Sequence, residues 1–175
     1  MKEHSAYYTR LSLAFGDLSE CGNYGKLLIK NSPEGLGSEK RTIYDALLIS
    51  FFISYGRALK PSNAAKKNLT PIIKKRFKNF IDHKKNQLSA EQQKLHNFAI
   101  THRDKIFAHA DVDALGLSMF KSFDGSYVHV GDNITMQYSN EIIEQVLEVC
   151  DYFISEILKE KILIEEKYSE TFNEI

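Results

Sequence analysis

The sequence predicts a mostly α fold: a helical bundle with a small β-hairpin or meander inserted before the last long helix. Three observations carry this reading. Apolar residues recur at helical spacing through most of the chain, helix-capping signals stand where those patterns begin, and one stretch, about 117–138, changes to the two-residue alternation of strands around an Asp-Gly turn. The chain has 175 residues, 43% hydrophobic and 26% charged, which suits one domain over 1–175 with its own core and excludes a disordered or collagen-like chain. Cys21 and Cys150 lack CxxC spacing, which argues against a zinc module or a disulfide framework and fits a reducing compartment.

Taken in order, an N-terminal helix is expected around Ala6 to Ser19, and Asn31 to Gly37 (NSPEGLG) reads as a surface loop. From Lys40 to Leu59 apolar residues surround most of the helical circumference, leaving Ser50, Ser54 and Arg57 as a narrow polar seam. Thr70 followed by Pro71 starts a basic amphipathic helix running to Asp82, with Ile73, Phe77, Phe80 and Ile81 as its apolar stripe and Lys74, Lys75 and Lys78 away from it. Ser89 and Gln92 form a capping box that opens a helix from Ala90 to about His109. Met119 to Phe123 and Ser126 to Val130 flank Asp124-Gly125, and Ile134, Met136 and Tyr138 alternate beyond them. Asn140 is read as the cap of the final helix, whose buried face would be Ile143, Val146, Leu147, Cys150, Phe153, Ile154, Ile157 and Leu158.

The longest apolar run, Ala46 to Tyr55, falls short of the roughly 20 residues that span a bilayer. The opening MKEHSAYYTR has no signal-peptide core, so a cytoplasmic protein with no membrane partner is expected.

Net charge is zero, with 23 Lys+Arg against 23 Asp+Glu, so any nucleic-acid binding must come from a local patch. The charges are unevenly placed. Lys60 to Lys85 holds eight Lys and one Arg against one Asp, whereas Glu141 to Ile175 holds ten acids against three Lys. The two segments are either solvated helix faces that attract each other, or the basic one follows a phosphate backbone through Lys74, Lys75 and Lys78.

The stretch His96 to Asp113 (HNFAITHRDKIFAHADVD) is the most informative. On a helical projection His102 and His109 fall in the sector of Leu95, Phe98, Ala99 and Ile106, and Arg103 extends that sector. A guanidinium near a buried face needs a partner or a purpose. It could pair with a carboxylate such as Asp45 while the histidines are ordinary core groups, or the three could form a functional cluster. His109, Asp111 and Asp113 also form an H-x-D-x-D string, more often a cap or solvated turn than a cation site, so neither metal nor other cofactor is expected. No P-loop, dinucleotide-binding, zincin or serine-hydrolase motif occurs.

Arg103-Asp104 followed by His109, within the phrase HRDKIFAHAD, resembles the R-x(4 to 6)-H motif of the HEPN (higher eukaryotes and prokaryotes nucleotide-binding) domains. The likeness is to the abortive-infection and toxin-like members of that family. It implies a helical bundle and a metal-independent endoribonuclease of toxin or defence type, kept in check by an antitoxin or inhibitor protein. In this resemblance Arg103 neutralises the scissile phosphate, His109 is general base or acid, and the RNA 2′-hydroxyl attacks its own phosphodiester. A guanidinium fork suits a phosphorane that gains negative charge, and an imidazole near neutral pKa can move the proton. Asp104 would orient Arg103 or a neighbouring backbone group, His102 would support the site, and Arg57 is a candidate second phosphate contact, or else a salt bridge to an acid on the last helix.

Six residues of straight helix set Arg103 and His109 roughly 9 Å apart along the axis and about 120° around it, so the two cannot grip one phosphate oxygen from the same helix. Either the helix ends before His109 or two copies assemble the site. The resemblance favours the second, a homodimer with an RNA substrate. The rival expectation is a non-catalytic nucleotide- or RNA-binding adaptor.

Overall fold

The computed structural model describes residues 3–31, 38–60, 71–104, 118–121, 127–130 and 139–168. Within them run five helices: α1 (Glu3–Lys30), α2 (Ser38–Leu59), α3 (Pro71–Lys85), α4 (Ala90–His102) and α5 (Asn140–Lys167). No helix among the described residues is long and apolar enough to cross a membrane.

α1 is the spine, packed along both α2 and α5, with α3 also resting on it and α4 lying against α2 and α5. It is far longer than the expected Ala6–Ser19. Local propensity underrates it because Gly16, Gly22 and Gly25 interrupt the pattern, while the helix runs on through them, packed on α2 and α5. Gly25 has a packing reason: a Cβ there would lie 2.7 Å from Cδ2 of Leu147, so the absent side chain lets α5 come close. The two helices run antiparallel, with the Tyr8 hydroxyl donating to Glu165 at one end and the Cys150 thiol 3.7 Å from the Leu18 carbonyl further along.

The core is made of Tyr7, Leu11, Leu18, Phe51, Phe52, Tyr55, Phe77, Phe153 and their aliphatic neighbours. Cys21 and Cys150 are free thiols buried inside it. Arg10 is also buried, yet satisfied: its guanidinium donates to the carbonyls of Arg57 (3.3 Å) and Ala58 (2.9 Å) and lies 4.0 Å over the Phe77 ring. It thereby meets two of the carbonyls that the end of α2 leaves unpaired.

The basic and acidic segments meet in part. Arg76 pairs with Glu160 at 3.5 Å and Lys84 with Glu156 at 2.6 Å, joining α3 to α5. Glu156 is buried, and hydrogen bonds from Lys159 and Lys84 hold its pKa below the usual carboxylate value against the opposing effect of burial.

The fold class needs one correction. The helical bundle fits, but the β-hairpin or meander expected over about 117–138 is not present at that extent among the described residues. Among the described residues strand pairing covers four residues a side, β1 (Ser118–Lys121) antiparallel to β2 (Tyr127–Val130), and the alternating residues 134–138 lie outside the described residues. Two strands of four residues are at the short end of strand lengths, and alternation in sequence overstated the feature.

Three smaller expectations also change. The cap of α5 is Ser139, whose hydroxyl accepts from the Ile142 amide at 3.3 Å, and Asn140 is already helical. Leu158 is 40% exposed, whereas Val149 and Ile164 join the buried face of α5. α4 ends at His102 and residues 105–110 lie outside the described residues, so a helix reaching His109 is not described.

Candidate functional site

The site forms where two helices end side by side. α4 begins with the reciprocal capping box, Gln92 N to Ser89 Oγ at 3.2 Å and Ser89 N to Gln92 Oε1 at 3.1 Å, which fixes its start. Twelve residues later it delivers His102 and then Arg103, still in a right-handed helical conformation with φ −55° and ψ −47°. Across from them stands the last turn of α2 with Gly56 and Lys60.

Arg103 lies on the backbone of α2. A Cβ built on Gly56 would be 2.6 Å from its Cγ, 2.8 Å from its Cδ and 3.1 Å from its Nε, so only glycine leaves room for this stem. The guanidinium donates from Nη1 to Oδ1 of Asp104 at 2.7 Å, while its Nε is buried with no hydrogen-bond partner among the described residues. The other carboxylate oxygen, Oδ2, accepts from Nζ of Lys60. One carboxylate thus bridges two cations, and the three side chains carry one net positive charge. Burial alone would raise the pKa of Asp104, but hydrogen bonds from Lys60 and Arg103 hold it below the usual value, so it is ionised at neutral pH.

His102 is half-buried, its ring 4.0 Å from that of Phe98 and 6.1 Å from that of Phe52. Its Nδ1 lies 2.9 Å from the Phe98 carbonyl and must carry the proton to donate there, which leaves the lone pair on Nε2. Burial lowers its pKa, against a smaller upward pull from that hydrogen bond, so the ring is neutral at physiological pH. His96, one and a half turns earlier, is a core group: its Nδ1 is 2.9 Å from the Tyr55 hydroxyl and its ring packs on Phe153.

The other expected residues divide. Asp45 does not meet Arg103; its ionic contact is Arg41, 3.9 Å away on the same helix. Arg57 turns to α1, with Nε 3.0 Å from Asp17 and Nη2 3.2 Å from Glu20, so its acids come from the first helix and not the last. Lys74 is half-buried, Lys75 is exposed, and Lys78 pairs with Asp82 one turn away. His109, Asp111 and Asp113 lie outside the described residues. No group of three or more His, Cys, Asp or Glu able to hold a metal occurs among the described residues.

Sequence reasoning missed Gly56 and Lys60. The signal for Gly56 was present: a glycine inside a strongly apolar helix costs roughly 1 kcal/mol against alanine, which marks a place where something comes close. Nothing local marked Lys60, because its partner is 44 positions away. No protein-family model matches the chain, and no curated protein or solved structure does either.

Proposed function

We propose that the chain is a metal-independent endoribonuclease of toxin or defence type, acting as a homodimer, with Arg103 on the scissile phosphate and His109 moving the proton. The observation that carries this reading is the seat of Arg103. Its stem lies against Gly56 and, among the described residues, its Nε is buried without a hydrogen bond and its fork is held toward a single carboxylate. A guanidinium kept only for stability would be satisfied as Arg10 is; one kept for a ligand retains unused donor capacity. The lysines of α3 supply charge for the RNA backbone.

The direct test is incubation of purified protein with RNA in EDTA. The expected products end in 2′,3′-cyclic phosphate, as attack by the 2′-hydroxyl requires, and intact RNA at high enzyme concentration refutes the reading. RNA that is bound but never cut would favour the adaptor reading, which the Asp104 contact supports because it neutralises half of the fork.

A second expected result separates fold from activity. Gly56→Ala gains up to about 1 kcal/mol of helix propensity, offset by the crowding of the new methyl against the Arg103 stem, so the melting temperature should change little. The new methyl displaces the Arg103 stem, and cleavage should fall by about tenfold or more, since small misplacements of catalytic groups are costly. Parallel thermal melts and cleavage rates check both halves.

A further inference from the structure

We infer that Arg103 and Lys60 form a two-cation cradle for a phosphodiester, and that Asp104 is its internal occupant, an anion of the protein's own that a ligand phosphate displaces. The geometry that motivates this is the carboxylate bridge: Oδ1 on Nη1 of Arg103 at 2.7 Å and Oδ2 on Nζ of Lys60. The two non-bridging oxygens of a phosphodiester carry the same single negative charge and have similar spacing to the two oxygens of a carboxylate, so the same pair of donors can hold either.

The parts are built for exchange. Asp104 is 24% exposed and Lys60 48%, so both can move toward solvent without leaving the core open. Arg103, by contrast, is fixed by its stem on Gly56. Exchange conserves the hydrogen bonds of both cations, and the displaced carboxylate regains water. Lys60 is the new member of the site, the second cation that Arg57 cannot be while it holds Asp17 and Glu20.

The inference rests on the proposed reading only for the phosphate at Arg103, and binding can be measured apart from cleavage. The probe is a single-stranded DNA oligonucleotide, which has no 2′-hydroxyl and cannot be cut by the proposed route. Asp104→Asn removes the competing anion and should bind it roughly five- to tenfold more tightly at low salt. Lys60→Gln should bind several-fold more weakly, and Lys60→Arg should restore affinity. If Asp104 only orients Arg103, Asp104→Asn binds less tightly, and that result overturns the inference, as does Lys60→Gln binding like the wild type. Absence of DNA binding in every variant overturns it as well. The expected shifts without any RNA cleavage would leave the cradle standing and remove the ribonuclease reading. Melting curves on each variant confirm folding, and Asp104→Ala provides a second form lacking the carboxylate.

Discussion

Arg103→Ala should slow RNA cleavage by about 10²–10³-fold, the usual loss when one donor to a developing oxyanion is removed, and should do so with little effect on folding. The expectation of small structural damage follows from its contacts. Among the described residues Arg103 gives one hydrogen bond, to a neighbouring carboxylate that keeps Lys60 as a partner when Arg103 is gone. Its Nε already lacks a hydrogen bond, so truncation removes a buried unsatisfied donor along with the packing of the stem. A net change within about 1 kcal/mol is expected, which for a domain of this size moves the melting temperature by roughly 2–4 °C. Arg10 supplies the contrast, since its guanidinium caps α2 and covers Phe77 and so belongs to the fold. Cleavage rates and thermal melts of Arg103→Ala, measured together, check the prediction. A variant that cuts RNA at the wild-type rate, or that unfolds at room temperature, contradicts it. His109→Ala measured in parallel should lose cleavage to a similar degree.

The second large effect is on stability in acid. His96 is 7% exposed, and burial, reinforced by repulsion from Lys85 and opposed weakly by Asp82, pushes its pKa down from 6.5 to about 4. The unfolded chain therefore binds a proton between pH 6.5 and pH 4 that the folded chain does not. Stability from this group is fully present above pH 6.5, declines as pH falls through that window, and has lost about 3 kcal/mol by its lower end. His102, also lowered by burial, adds a change of the same sign. Asp104 and Glu156, whose pKa values are depressed below ordinary carboxylates, contribute only at the acid edge. Urea unfolding at pH 7 and pH 4.5 measures the loss. His96→Gln keeps a partner for the Tyr55 hydroxyl and removes the titration, so its stability should fall by much less over the same interval. Equal losses in both proteins would show that the acid sensitivity arises elsewhere.

What could be read from the sequence was what neighbouring residues determine. Ser89 and Gln92 cap α4 as their spacing indicates, Pro71 opens α3, and the stripe Ile73, Phe77 and Ile81 is buried. The start of α5 was placed within one residue, the error being a choice between Ser139 and Asn140, two side chains of nearly equal capping strength. What could not be read depends on residues far apart in the chain. Glu156 is buried because Lys84 reaches it from α3, and a lone acid in an apolar stripe gives no hint of that. Arg103 and Asp104 were singled out by pattern and chemistry, yet the room for Arg103 comes from Gly56 and the second cation from Lys60. The alternation over about 117–138 shows the reverse failure: among the described residues of that stretch strand pairing covers only Ser118–Lys121 and Tyr127–Val130.

The pairing of α1 with α5 also bears on the order of events during synthesis. Tyr8 and Glu165 are 157 positions apart, so the contacts that cover α1 are among the most non-local the chain can make. Closing so long a loop is entropically costly and slows folding relative to bundles built from adjacent helices. While α5 is still inside the ribosome, Leu11, Leu18 and Cys21 have only part of their cover, and the nascent chain is an open half-bundle suited to chaperone capture. Assembly of the core is thus delayed until α5 has left the ribosome and can cover α1.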